Sequence, residues 1–348
     1  MRKREYNLDL LRLFACFMVI VIHVSAQNWL ELPISSLRWN VFNICDSLAR
    51  CAVPLFFMLS GYLFLSKPQF SIRSLYMKNI LRLVLVYFFW SLLYGADRIG
   101  FAALFRAFDL RELVWSTLDS KYHLWYLQSQ VSVYLLFPLL WALKEYKEGK
   151  YLDYFCLLWL IFAIVRTSIL LLPLPVSVSV LITKFSFPLS AYCGYFVLGY
   201  LLGKHREKLK MLRNWHFCAA FILCSAITAL LTYLRSAKTG AASDSFYSSF
   251  TVFTLIATAA AFCFFQSFSG FSPGGKKAII LERLSKYTFF TYLFHVFVLE
   301  YLDKLFSLNT LCFTPLLSVP LISLITFAVC MAAAFIIDRI PLLKKLLL

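Results

Sequence analysis

Apolar segments long enough to span a lipid bilayer recur along the whole of this chain. Of its 348 residues, 61% are hydrophobic, whereas a soluble domain is typically about 45–50% apolar. A membrane-spanning helix needs about 20 consecutive, mostly apolar residues. We therefore predict an all-α, polytopic membrane bundle of about ten transmembrane helices, with residues 1–348 forming one membrane-embedded domain. The predicted segments lie near residues 8–28, 49–66, 82–97, 123–143, 151–172, 184–203, 216–234, 247–268, 287–304 and 314–337.

The positive charge of the chain predicts how the helices are oriented. Lys and Arg number 34 against 17 Asp and Glu, which gives a formal net charge of +17. In a soluble protein this excess would raise the question of a nucleic-acid partner. Here most Lys and Arg residues fall in every second connection between segments, which the positive-inside rule explains better. The sequence thus predicts a lipid bilayer and no nucleic acid as partner, with both termini in the cytoplasm.

The ten cysteines form no recognisable metal-binding or redox motif. Most lie inside apolar segments without CxxC spacing, so we interpret them as small buried residues. We expect no metal cofactor. The sequence leaves open whether Cys45 and Cys312 pair.

The first apolar segment contains an arginine and a histidine at membrane depth, Arg12 and His23. Eleven residues return to nearly the same helix face and separate the two by about 16 Å; Asp9 falls on the same stripe. Ionisable groups inside a membrane are costly, and their usual role is functional. His23 can take a proton from a hydroxyl or carry an acyl group, and Arg12 can bind an anion. Alternatively, His23 is hydrogen-bonded within the bundle and Arg12 only pairs with Asp9.

Polar residues also mark three later segments. Arg50 stands at the start of the second segment, and His123 and Trp125 open the fourth. An aromatic residue beside a histidine suits sugar binding, although aromatic belts at membrane interfaces are common. In the ninth segment we predict Ser285 as a helix N-cap, followed by a polar stripe that ends at His295. Hydrogen bonding between helices explains such a stripe as well as catalysis does.

Five stretches of the chain, taken in order, form a recognisable set. They are LDLLR at 8–12 followed by His23, Arg50 followed by VPLFFMLSGY at 53–62, YHLWYL at 122–127, GYFVLGY at 194–200, and YLFH at 292–295. Together they resemble the acyltransferase-3 family of bacterial membrane O-acyltransferases, in a layout closest to the enterobacterial common antigen O-acetyltransferase type. The resemblance covers almost the whole chain. It implies a ten-helix, multi-pass protein of the bacterial inner membrane that moves acetyl from cytoplasmic acetyl-CoA to a hydroxyl of an extracytoplasmic cell-surface carbohydrate.

The resemblance also implies roles for individual residues. The key arginine and histidine of the family correspond to Arg12 and His23, which we expect to be catalytic. Many relatives carry an R-x-x-R pair at the start of the third helix, where this chain has Asn79-Ile80-Leu81-Arg82. Lys78 stands beside the missing arginine, but an ammonium does not reproduce a guanidinium fork. The residues expected to bind the phosphates of coenzyme A are Arg12, Lys78 and Arg82. Those expected nearer the acceptor sugar are His123, Trp125, Arg50 and His295.

Other functions stay open from the sequence. A transporter or flippase of a lipid-linked sugar would also place Arg and His in the membrane, although no inverted repeat is evident. A sensory or scaffold protein would tolerate His23→Ala with little loss. For an enzyme, direct transfer with His23 as general base competes with an acyl-histidine relay. The sequence determines neither the acceptor, nor an acyl group other than acetyl, nor the oligomeric state.

Overall fold

A computed structural model describes residues 4–101, 106, 109–184, 191–209, 211–268, 274–341 and 344. Every regular element within these residues is helical. Two π-helical turns interrupt the pattern: Leu75–Ile80 leads into the helix that begins at Leu81, and Leu160–Val165 with the short helix Arg166–Leu170 prolongs the helix that ends at Trp159. The principal helices are α1 (Tyr6–Ala26), α2 (Leu37–Ala49), α3 (Ala52–Leu65), α4 (Leu81–Ile99), α5 (Leu110–Leu118), α6 (Trp125–Glu145), α7 (Lys150–Trp159), α8 (Val176–Lys184), α9 (Ala191–Lys204), α10 (Asn214–Thr239), α11 (Val252–Ser267), α12 (Lys276–Phe306) and α13 (Pro315–Ile337).

Seven stretches of the described chain are long and apolar enough to cross a membrane. They confirm an all-helical, multi-pass membrane protein. The longest, Tyr122–Leu170, contains two of the predicted segments, which are divided where Lys147, Glu148 and Gly149 adopt positive φ angles. The predicted segments 184–203 and 287–304 are not among the seven, and residues 185–190 lie outside the described residues. The count of ten spans and the cytoplasmic termini therefore stay predictions. The seven stretches are Tyr6–Glu31, Leu37–Leu65, Ile72–Ile99, Tyr122–Leu170, Asn214–Thr239, Ser245–Ser267 and Pro315–Ile337.

The prediction that Ser285 caps a helix is wrong. Helix α12 begins at Lys276, with Gly275 in the N-cap position, so Ser285 lies well inside it. The preceding residues are mostly good helix formers, and Glu282 precedes Lys286 by four residues, a spacing that supports a helix. Because the helix starts nearly three turns earlier than expected, the Ser285 hydroxyl faces a neighbouring helix instead of a helix end.

Helix α1 lies at the centre of the bundle. It packs against α2, α3, α11, α12 and α13. Leu11 and Ile20 point to opposite sides of the helix, and both are completely buried, as is Cys16. A central helix of this kind positions Arg12 near its first turns and His23 in its last turn, so both side chains can meet residues from several other helices.

Helices α3 and α9 cross closely at two glycines, Gly61 and Gly199, where each glycine lies against the backbone of the other helix. A Cβ atom added to Gly61 would lie 1.7 Å from the Phe196 carbonyl oxygen, and one added to Gly199 would lie 2.0 Å from the Met58 carbonyl oxygen. Membrane helices use small residues at such crossings because little else drives their association. These two glycines hold α3 in a fixed position beside the cavity described below.

All ten cysteines are free thiols. Seven of them are buried, which agrees with their interpretation as small core residues. Cys45 is partly exposed and Cys312 is exposed, and the two do not pair.

Candidate active site

A basic cavity of about 470 Å³ opens at the end of the bundle where α1 begins. Four cationic side chains line it, and no carboxylate of the described residues does. The cations are Arg12, Lys78, Arg82 and Lys286. Three of these are the residues expected to bind coenzyme A, so the structure brings that set together in one place. Arg12 and Lys286 pair with Asp9 and Asp338, which do not line the cavity, whereas Lys78 and Arg82 form no ion pair with the described residues. Such a group of cations attracts an anionic ligand such as a phosphate.

Arg12 is held in place by two neighbouring side chains. Its Nη1 donates to Asp9 Oδ1 at 3.1 Å and to Ser285 Oγ at 2.9 Å, and Ser285 Oγ in turn donates to Asp9 Oδ1 at 2.8 Å. Asp9 also accepts from Arg4 Nε at 2.8 Å. The predicted Asp9–Arg12 pair is thus present. It orients the guanidinium, and because both bonds use Nη1, the Nη2 and Nε groups are left for a ligand in the cavity.

Three histidines from separate parts of the chain meet near the other end of α1. The ring centroids of His23 and His295 are 5.0 Å apart, those of His123 and His295 are 5.3 Å apart, and those of His23 and His123 are 6.5 Å apart. His123 and His295 are buried, whereas His23 is partly exposed. One residue expected to be catalytic and two expected near the acceptor therefore form one histidine cluster (His23, His123 and His295).

Backbone carbonyl groups fix the tautomers of the two buried histidines. His123 Nε2 lies 3.3 Å from the Leu293 oxygen, and His295 Nδ1 lies 2.7 Å from the Tyr292 oxygen. A carbonyl oxygen only accepts, so each of these nitrogens carries the proton. The other ring nitrogens, His123 Nδ1 and His295 Nε2, are buried acceptors without a partner among the described residues. Both can receive a hydrogen bond from a group bound beside His23.

A pair of tyrosines separates the basic cavity from the histidine cluster. Tyr126 and Tyr292 both line the cavity, and their ring centroids are 5.2 Å apart. The Tyr292 ring also lies 5.9 Å from His123 and 6.0 Å from His295, and its hydroxyl donates to the His123 carbonyl. His23 is not among the residues that line the cavity. A thioester bound in the cavity would therefore approach His23 past this tyrosine pair.

Arg50 and Trp125 occupy different surroundings from those of the histidines. Arg50 forms an ion pair with the buried Asp46, and its guanidinium lies over the Tyr247 ring at 4.1 Å. Trp125 is 39% exposed and packs against Tyr192 with ring centroids 5.5 Å apart. Neither side chain makes a ring or cation–π contact with the three histidines, and their roles toward an acceptor stay predictions.

Besides Lys286 of the cavity, three residues of the site were missed from the sequence. Tyr122 is the aromatic residue that contacts His23, with ring centroids 5.2 Å apart; it stands next to His123, which was the available signal. Asp46 precedes Arg50 by four residues, a spacing typical of a helical ion pair. Tyr247 gave no signal, because only the fold brings its segment beside α2.

Comparison with known proteins gives one match. No curated protein and no solved structure matches the chain. A family model described as an acyltransferase domain, Acyl_transf_3, matches residues 5–335 and thus nearly the whole chain. The acyl-transfer activity implied by the five sequence stretches is in this way supported independently. The chain belongs to the acyltransferase-3 family and is a membrane acyltransferase.

Proposed function

We propose that this enzyme moves an acetyl group from cytoplasmic acetyl-CoA to a hydroxyl of a cell-surface carbohydrate across the bacterial inner membrane. One observation carries the proposal: α12 contributes to both the basic cavity and the histidine cluster, with only a tyrosine pair between them. The cavity suits an anionic donor, and the cluster suits activation of a hydroxyl. The order of the motifs favours the enterobacterial common antigen type of acceptor.

The donor fits the basic cavity by charge and by length. Arg12, Lys78, Arg82 and Lys286 would hold the phosphates of coenzyme A. The cavity follows α12 from Ser285 to Tyr292, a distance of about 10 Å along the helix axis. Apolar walls between these ends suit the pantetheine arm and would direct the thioester toward the tyrosine pair.

The reaction needs a base beside the thioester carbonyl. The acceptor hydroxyl would attack this carbonyl while His23 takes the hydroxyl proton. The new bond joins the hydroxyl oxygen to the acetyl carbon, and the carbon–sulfur bond breaks. The coenzyme A thiolate leaves and takes from His23 the proton that came from the hydroxyl. His295 Nε2, a buried acceptor next to His23, can stabilise the protonated imidazole. In the relay version the coenzyme A thiolate leaves first and the acetyl group is bonded to His23 before it reaches the hydroxyl; rapid quenching of labelled acetyl-CoA reactions into cold denaturant at neutral pH, followed by mass spectrometry, would detect it.

The test is the O-acetyl content of purified surface polysaccharides, measured by NMR and mass spectrometry. Cells that lack the gene would receive wild type, His23→Ala or the neighbouring Ile22→Ala at matched membrane levels. We expect acetylation with wild type and Ile22→Ala and its loss with His23→Ala. Calorimetry on the purified wild type should show acetyl-CoA binding. Equal acetylation in all strains, together with no acetyl-CoA binding, would contradict the proposal and favour transport of a lipid-linked sugar.

A further inference from the structure

A second polar cavity, of about 220 Å³, lies where the short helix Arg206–Leu209, the start of α10 and the end of α11 meet. It shares no lining residue with the basic cavity. It is at the end of the bundle where α1 begins, because Asn7 Nδ2 of α1 donates to the Gln266 carbonyl at 3.4 Å. The polar residues that line it are Arg206, Asn214, Gln266 and Ser267.

The charges around this second cavity favour an anion. Arg206 is partly buried and forms no ion pair with a described residue, and no described carboxylate lines the cavity. Asn214 is the first residue of α10, a helix of 26 residues, so the positive end of the helix dipole also faces this region. Five of the residues 204–213 are Lys or Arg. Such basic segments beside a membrane helix attract anionic lipids.

The side chain of Gln266 is a second, independent indication of a ligand. Gln266 lines the cavity and is 2% exposed, yet neither its Oε1 nor its Nε2 has a hydrogen-bond partner in the described part of the chain. Buried polar atoms are nearly always paired, because leaving them unpaired costs free energy. A hydroxyl both donates and accepts, so a hydroxylated ligand in the cavity can satisfy an amide.

An apolar groove of about 210 Å³ runs between α10 and α11 next to the second cavity. Phe217 lines both spaces, and every residue that lines the groove is apolar or cysteine. Ile222 lines the groove and is 60% exposed in a helix long and apolar enough to cross a membrane, so the groove opens toward lipid. Each space alone is smaller than a typical ligand pocket of about 300–1,000 Å³. A ligand with one polar and one apolar end would fill both.

We propose that the second cavity and the apolar groove together bind one anionic glycerophospholipid. Arg206 binds its phosphate, Gln266 bonds to hydroxyls of its headgroup, and one acyl chain lies in the groove. Phosphatidylglycerol has all three of these groups. Phosphatidylcholine lacks the headgroup hydroxyls and carries a balancing positive charge, and a free phosphate has no chain for the groove. Because the groove also contacts Phe14 of α1, the lipid links α10 and α11 to the helix that carries Arg12.

The experiment uses the full-length protein, purified in detergent and freed of bound lipid, with palmitoyl-oleoyl phosphatidylglycerol as probe. Native mass spectrometry measures the number and affinity of bound lipids, and thermal unfolding measures stability. Phosphatidylcholine with the same chains tests the headgroup, and an excess of glycerol phosphate tests whether the chains are needed. Arg206→Gln removes the phosphate ligand. Lys208→Gln is the matched control, because Lys208 is an exposed cation of the same short helix and lines neither space.

We expect wild type and Lys208→Gln to bind one phosphatidylglycerol with equal affinity, and to bind phosphatidylcholine at least about tenfold more weakly. Arg206→Gln should lower the phosphatidylglycerol affinity at least about tenfold, as loss of a hydrogen bond to a charged group predicts. Gln266→Leu should weaken binding about three- to tenfold and leave the unfolding midpoint of the lipid-free protein unchanged or higher, because it removes buried polar atoms that have no described partner.

Four results would overturn this lipid site. The first two are equal binding of both phospholipids by wild type and equal affinities of Arg206→Gln and Lys208→Gln. The third is displacement of phosphatidylglycerol by glycerol phosphate, which would make the second cavity a site for a soluble anion. The fourth is a lower unfolding midpoint of lipid-free Gln266→Leu, which would show that the amide is already satisfied inside the protein. None of these measurements depends on acetyl-CoA or on an acceptor.

Discussion

Replacing His23 by alanine should affect catalysis far more than stability. His23 is partly exposed and forms no hydrogen bond with the described residues; its nearest ring contacts are Tyr122 at 5.2 Å and His295 at 5.0 Å. We therefore expect a loss of about 1 kcal/mol in unfolding free energy, which is typical of a single substitution. Removing a general base usually slows a reaction by about 10²–10⁴. That range corresponds to about 2.7–5.5 kcal/mol of activation free energy.

The assay compares both quantities in one preparation. Thiol release from acetyl-CoA in the presence of the identified acceptor gives the transfer rate, and thermal unfolding in the same nanodiscs gives stability. Ile22→Ala is the control, because Ile22 is the adjacent residue on α1 and packs against two apolar clusters of the core. It removes more buried apolar surface than His23→Ala and no titratable group. Ile22→Ala should therefore unfold earlier than His23→Ala and still transfer acetyl at close to the wild-type rate.

Two outcomes would refute this reasoning. A folded His23→Ala enzyme that keeps more than about a tenth of the wild-type rate would exclude His23 as the base, and His295, whose Nε2 is a buried acceptor, would be examined next. Activity that falls only in proportion to the amount of folded protein would show that His23 is structural.

Three further substitutions test the donor cavity and its support. Arg82→Ala should raise the KM for acetyl-CoA about ten- to a hundredfold with little change in kcat, whereas Arg73→Ala, outside the cavity, should leave steady-state kinetics unchanged. Ser285→Ala removes one of the two groups that hold Arg12 Nη1 and should weaken acetyl-CoA binding about three- to tenfold in calorimetry; equal affinity would show that Arg12 needs no support from α12. Gly199→Val should lower the free energy of unfolding by about 1–3 kcal/mol or more, because the added Cβ would overlap backbone atoms of α3. An unchanged unfolding midpoint would contradict the close packing of α3 against α9.

The helical character of the protein was predictable from the sequence, and so was part of the lining of the basic cavity. Apolar length identifies membrane helices because a backbone in lipid must satisfy its own hydrogen bonds. Arg12 was found because a cation inside an apolar helix is conspicuous, whereas Lys78 and Arg82 were expected only from the family resemblance. Lys286 was missed as a member of the cavity, since its side of the helix depends on how α12 packs against α1.

The histidine cluster was predictable only in part. His23, His123 and His295 were each selected, but their meeting depends on contacts between α1, α6 and α12, which no local pattern specifies. The N-cap assigned to Ser285 failed because a hydroxyl inside a helix and one at its start look alike in sequence. The helix-forming residues that precede Ser285 extend the helix back to Lys276.

The tyrosine pair between cavity and cluster also bears on the electrical insulation of the membrane. A basic cavity on one side and titratable histidines on the other would become a path for protons if water filled the space between them. One elementary charge that crosses 100 mV releases about 2.3 kcal/mol, so an open path would dissipate the gradient that the cell maintains. Tyr126 and Tyr292 close this space with apolar rings. In the proposed reaction, a neutral thioester arm would pass the displaced rings without its hydration shell at little cost, whereas an ion would lose far more hydration free energy.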